Sequence, residues 1–245
     1  MDLVGKLPQA TGQRKYLLVA TDYFTKWIEA EPLAKIRDVD VKNFIWRNII
    51  TRFGIPRAIV ADNGTQFDSK LIKNFCAKFK IKNYFSTPSF SQSNGQAEAS
   101  NKVILDGIKK RLQPAKGKWI NELPNVLWAY RTTPRRSTRE TPFAMTYGTE
   151  AVIPLEVGIP GIRTQGVENG TNDILLARDL DLLEERREKA AIQLAAYQQQ
   201  LARAYNKNVN LREFHIGDLV LRKVVGNKKD PREGKLGPNW EGPYR

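Results

Sequence analysis

The sequence predicts an α/β fold, a mixed sheet covered by helices, on three observations. Strand-type runs come first in the chain, later ones alternate with amphipathic helical stretches, and no internal repeat is visible. The 245 residues suit one full domain plus a smaller piece.

The elements follow in order. KYLLVATDY, residues 15–23, and WIEA, residues 27–30, read as two antiparallel strands, the second closed by Pro32. Asp38 or Asp40 can cap a helix whose Val41, Phe44, Ile45 and Ile49 share one face, with Gly54 and Pro56 as its stop. RAIVA, residues 57–61, is a short buried-type strand ending in Asp62-Asn63-Gly64, and Leu71, Ile72, Phe75 and Phe79 mark a second helix. Residues 81–85 give another strand. The polar stretch 86–96 is a loop leading into a helix that begins near Gly95 and carries Val103, Ile104, Ile108 and Leu112. A further helix runs from about Trp119 through Tyr130, interrupted by Pro124, and a short one surrounds Phe143–Tyr147.

Residues 157–172 are rich in Gly and poor in large apolar groups, so the domain boundary falls there, with a core over 1–160 and a linker over 161–172. A long helix is expected over 173–208, because Leu176, Leu180, Leu183, Ala190, Leu194, Tyr197, Leu201 and Ala204 keep a three-four spacing. Packing on its own domain and pairing with a second helix are equally supported. FHIGDLVLRKV then reads as a turn and strand opening a small module over 209–245.

Composition narrows the function. Lys and Arg exceed Asp and Glu by 14, a surplus that suits a polyanion such as nucleic acid. One cysteine, Cys76, and one histidine, His215, exclude an internal disulfide and a zinc site of Cys and His ligands. No apolar run is long enough to span a bilayer, and no signal peptide is present, so the chain is not expected to enter a membrane.

Against this basic background three acids stand out. Asp2 opens the chain, Asp62 ends a strand, and Glu98 sits in the first turn of a helix. Carboxylates at a strand's end and a helix's start can meet at a sheet edge, where ligands of α/β folds bind. Their repulsion is relieved by hard divalent cations, and a pair of such ions supports in-line phosphoryl displacement. Taken singly, Asp62-Asn63-Gly64 reads as a turn and Glu98 as a solvated residue suited to a helix N-terminus.

IVADNGTQF (59–67) and SFSQSNGQAEASNK (89–102), with 35 residues between their acids, resemble the catalytic core of retroviral and retrotransposon integrases. WIEAEPL, RFGIP and the terminal GPNWEGPY are similar to the Ty3/gypsy branch, particularly plant elements. The resemblance implies a ribonuclease H-like mixed five-stranded sheet flanked by helices, followed by the long helix and a truncated SH3-like, GPY-type DNA-binding module. It implies two Mg²⁺ or Mn²⁺ ions held by Asp2, Asp62 and Glu98 as catalytic residues, and two reactions, trimming of DNA 3′ ends and strand transfer into target DNA. Asp22, in ATDYFTKW, is the competing first acid, but it falls in the matching second strand. DNA as substrate, a homo-oligomer and a nuclear location follow from the same reaction.

The resemblance places Gln92, Asn94 and Gly95 in a loop facing the DNA end. Lys102 lies one turn past Glu98 on the same helix face, and with Lys109, Lys110 and Arg111 it makes a basic surface for phosphates. Trp119, Trp128 and Tyr130 read as core rather than base-stacking platforms, Cys76 as a packed small residue, and His215 as a turn or strand residue. The family's N-terminal zinc-binding domain and the first half of strand one are expected to be lacking, so the sequence reads as a truncated copy, a partial gene model or a polyprotein fragment. A non-catalytic DNA-binding or assembly remnant is the alternative to an active transferase. A general ribonuclease H-like nuclease fits the loop before Glu98 and the basic tail less well.

Overall fold

Successive apolar residues at 16–21 set the architecture, because a strand sends neighbouring side chains to opposite faces and a run apolar on both must be covered on both. In the computed structural model, which describes residues 1–86, 95–111, 118–152, 161–207, 213–224 and 240–245, this run is strand β2 (Tyr16–Thr21). Leu17 and Val19 enter one core with Ile104, Ile108, Trp119, Leu123, Val126 and Tyr130. Leu18 and Ala20 enter another with Val41, Phe44, Ile45, Phe67, Ile72 and Cys76.

β2 is the centre of an antiparallel sheet with β1 (Asp2–Val4) and β3 (Ile28–Leu33) on its two sides. Asp2 lies opposite Val19, and Thr21 opposite Ile28. Pro32, expected to close β3, is inside it opposite Leu17, a position tolerated on an edge strand. β4 (Ala58–Ala61) and β5 (Lys82–Phe85) pair in parallel as a separate ladder. The expected continuous five-stranded sheet is therefore two sheets among the described residues. They touch where the Met1 amine donates to the Val60 carbonyl.

Helix α1 (Asp38–Phe44) passes through a π-helical turn, Ile45–Ile50, into the short α2 (Thr51–Phe53), and Gly54 at φ +90° ends the run as expected. The N-cap position is Arg37 rather than an aspartate, and Asp40 instead pairs with the Arg37 guanidinium at 2.8 Å. α3 (Lys70–Lys78) is capped by the Ser69 hydroxyl, which accepts from the Ile72 N–H. α4 (Gly95–Arg111) and α5 (Trp119–Thr132) cover the other face, and Pro124 lies inside α5 without ending it. Gly107 permits the α4–α5 approach, since a Cβ there would lie 2.9 Å from Val126 Cγ1. Trp119 and Tyr130 are core, as expected, with the Trp119 indole donating to the Pro8 carbonyl and the Tyr130 hydroxyl 3.0 Å from that of Ser100.

α6 (Pro142–Tyr147) is capped by Thr141, and Phe143 and Tyr147 form an aromatic cluster with Trp27. The stretch expected as a linker contains α7 (Ile162–Glu168), followed by α8 (Asn172–Asp181). Its glycines serve packing and turning rather than flexibility: a Cβ on Gly166 would meet Leu175 Cδ1 at 2.7 Å, and Gly170 makes the turn after α7 at φ +68°. The expected long helix is divided at Leu182 into α8 and α9 (Leu183–Asn206). α9 buries Ala190 and Leu194 and leaves Ile192, Leu201 and Tyr205 exposed. Among the described residues of 209–245, β6 (Val220–Lys223) pairs antiparallel with β7 (Trp240–Tyr244), and much of the expected SH3-like module lies outside the described residues.

Candidate active site

The Met1–Val60 hydrogen bond sets the start of β1 beside the end of β4, and Asp62 follows β4 directly. Asp2 and Asp62, remote in sequence, therefore act on each other. Burial pushes the Asp2 carboxyl above its ordinary value, and the charge of Asp62 adds to that push. The Leu3 N–H, the Met1 ammonium and Asn101 pull the other way. Asp2 Oδ1 accepts from the Leu3 N–H at 2.8 Å, and Oδ2 accepts from Asn101 Nδ2 at 2.6 Å. Asp62 Oδ1 accepts from the Gly64 N–H at 3.2 Å, so the turn and the site use the same side chain.

Glu98 belongs to the first turn of α4, and its side chain lies outside the described residues. Asn101, three residues on, is buried and joins that helix to Asp2. Its spacing in EASNK puts it on the face of Glu98, the signal from which its part could have been read. Among the described residues no group of three or more His, Cys, Asp or Glu side chains is placed to hold a metal ion. Asp22 closes the β2–β3 turn, where Oδ2 accepts from the Thr25 N–H and hydroxyl at 2.8 and 2.7 Å.

Beside Asp2 a groove of about 360 Å³ runs between β1 and α4, lined by Asn101, Lys102, Leu105, Asp106 and Lys109. Lys102 and Lys109 are thus brought to the same groove as Asp2. Lys109 is 4.0 Å from Asp106, and Arg111 turns to Glu122 at 3.4 Å. Lys110 is exposed in the last turn of α4, and Gly95 is that helix's first residue. Gln92 and Asn94 lie outside the described residues.

Residues 1–90 match the family model described as Integrase core domain, and residues 214–245 match a domain of unknown function, DUF8803. With the α/β fold, the first match supports a retroviral-like integrase core over residues 1–90. Among its relatives is the Gag-Pol polyprotein of avian reticuloendotheliosis virus, 32% identical over 235 residues, which covers 96% of this chain and 19% of the relative. The Pol polyprotein of Drosophila melanogaster transposon 412 is 25% identical over 247 residues, covering 100% of this chain and 19% of the relative. The chain spans about a fifth or less of the length of the curated relatives it matches. In fold it is similar to a chain of the simian T-cell lymphotropic virus intasome in complex with the PP2A regulatory subunit B56 gamma. The TM-score is 0.52 at 17% identity, over 62% of this chain and 55% of that one.

Proposed function

We propose that this chain is the core of a retrotransposon integrase that trims DNA 3′ ends and joins them to target DNA. The observation that carries this reading is the meeting of Asp2 and Asp62 at the adjoining ends of β1 and β4, with α4 tied in through Asn101, one turn past Glu98. A half-buried carboxylate, Asp2, whose proton affinity is raised by burial and further by the charge of Asp62, belongs to a hard-oxygen site suited to a divalent cation, and Glu98 is the third donor in this reading. Asp2, Asp62 and Glu98 would hold Mg²⁺ or Mn²⁺, which when bound supplies activation of the attacking oxygen and stabilisation of the leaving one.

The chain's own contribution is positional. Asn101 orients the Asp2 carboxylate through its amide, and Gly64 fixes Asp62. Lys102 and Lys109 give the groove beside Asp2 positive charges for the DNA backbone, with Lys110 and Arg111 extending that charge along α4 and Gln92, Asn94 and Gly95 meeting the DNA end. Action on two DNA ends calls for a homo-oligomer, and access to chromosomal target DNA calls for the nucleus.

The test is disintegration of a branched DNA by the purified chain with Mn²⁺ or Mg²⁺. Turnover that disappears in Asp2→Asn, Asp62→Asn and Glu98→Gln supports the reading. Salt-sensitive DNA binding without turnover in either metal overturns it in favour of a non-catalytic DNA-binding role.

A further inference from the structure

We propose that Asn63 is a self-modification site: the Gly64 nitrogen closes on the Asn63 side-chain amide and converts it to aspartate or isoaspartate, at a rate that the Asp62 carboxylate holds down. Asn63 is exposed and precedes a glycine, the residue whose missing side chain leaves its nitrogen least hindered. The step needs only water. The Gly64 nitrogen attacks Asn63 Cγ, the Cγ–Nδ2 bond breaks, ammonia departs with the proton that the Gly64 nitrogen gives up, and a succinimide ring remains. Water opens that ring at Cγ to give aspartate, or at the main-chain carbonyl carbon to give isoaspartate.

The fold restrains the attacking nitrogen through one side chain. The Gly64 N–H donates to Asp62 Oδ1 at 3.2 Å, the bond by which an aspartate closes a turn two residues on. That bond occupies the proton that has to leave and sets a negative charge against the nitrogen that loses it. Among the described residues the Gly64 N–H has no main-chain acceptor, whereas the Gly64 carbonyl is anchored by the Phe67 and Asp68 N–H groups at 2.8 and 3.2 Å. Rotation of Asp62 therefore frees the nitrogen while the rest of the glycine stays in place.

Asn169–Gly170 has the same pair of residues under a different restraint. Asn169 ends α7 at φ −84° and ψ 0°, and the Gly170 N–H donates to the Val167 carbonyl at 3.2 Å, a main-chain bond that no side-chain rotation releases. Asn169 is exposed as well, so it serves as a reference within the same chain. At Asn63 either product puts a new carboxylate beside Asp62. Isoaspartate also lengthens the main chain between Asp62 and the anchored Gly64 carbonyl, which alters the path from β4 to α3 at the residue the candidate site depends on.

The experiment holds the purified chain and its Asp62→Ala, Asp62→Ser and Asn63→Gln variants in neutral buffer and follows the peptides carrying residues 63 and 169 by mass spectrometry. Conversion at Asn63 is expected to be about tenfold faster in Asp62→Ala than in the parent, the rate equivalent of one lost hydrogen bond to a charged group. Asp62→Ser, whose hydroxyl still accepts, should fall between them, Asn63→Gln should not convert, and Asn169 should convert equally in all four. Equal rates at Asn63 in the parent and Asp62→Ala would overturn the proposal. So would a rise at Asn169 matching that at Asn63, which would assign the effect to general loosening of the fold. The readout is mass alone and does not depend on DNA or metal chemistry.

Discussion

Asn101 Nδ2 donates to Asp2 Oδ2 at 2.6 Å, a hydrogen bond between residues 99 positions apart that ties α4 to β1. Asn101 is buried, and among the described residues its own Oδ1 has no hydrogen-bond partner, so its amide donation to Asp2 is the contact that stands out. Replacing Asn101 with Ala removes a bond that favours the ionised carboxylate. The fold is expected to lose about 1–3 kcal/mol, measured by urea unfolding at pH 7, and the Asp2 carboxyl to titrate higher by NMR. Unchanged stability and titration would refute the tie.

Asp2 titrates above its ordinary value because of burial and then the charge of Asp62, which fixes the sign of a pH effect. A carboxyl raised in the folded state favours folding fully below its unfolded value, and that contribution is lost as pH rises through the raised folded value. Asp2→Asn should therefore flatten the fall in stability above about pH 4. A divalent cation should reverse the loss: at a hundredfold excess over its dissociation constant, Mg²⁺ is expected to add about 2.7 kcal/mol to the parent chain. Asp2→Asn and Asp62→Asn should abolish that gain in thermal melts. A gain that persists in both variants would place the ion elsewhere.

Glu29 is buried at 5% exposure, with Arg52 at 2.8 Å, Arg131 at 3.1 Å and the Trp27 indole N–H at 2.8 Å. Arg131 also lies over the Trp27 ring. Removing the carboxylate leaves the buried Arg131 guanidinium without its charge partner, so Glu29→Ala is expected to cost about 3 kcal/mol by chemical denaturation. Glu29→Gln, which keeps an acceptor for the indole, should cost less. Equal losses would mean that packing alone is at stake.

Burial lowers the Lys26 pKa to about 8, against the charge of Asp22, which raises it. The unfolded chain then holds more protons than the folded one above pH 8, and stability should rise with pH between about 8 and 10. Lys26→Gln should remove that rise in melting temperature. A rise of the same size in the variant would assign it to another group.

Much of the fold is legible because both periodicities are strong. The apolar doublets of β2 require cover on both faces, and the helical spacing of Ile104, Ile108, Leu123 and Leu127 supplies it on one of them. Gly166 and Gly170 are loop signals by composition, whereas in the fold a Cβ on Gly166 would meet Leu175 and Gly170 follows the end of a helix, so composition alone does not reveal α7. The split sheet was not legible, since strand pairing depends on how far β1 runs beside β4, which no local pattern encodes. At the site, the strings around Asp62 and Glu98 were readable. The spacing in EASNK puts Asn101 on the Glu98 face of α4, but its bond to Asp2 is not legible, because no local pattern pairs residues 99 positions apart.

The outer border of β3 has its own consequence. The carbonyls of Trp27 and Leu33 face β2, where they accept from Asp22 and Lys15, so Ile28, Ala30 and Pro32 turn outward. Arg131 already occupies the Ile28 carbonyl, with Nη2 at 2.8 Å, and Pro32 has no N–H to give. Of those three positions only Ala30 retains a full main-chain pair for an incoming neighbour, so this flank is a poor template for aggregation between molecules, a guard set by one proline and one arginine.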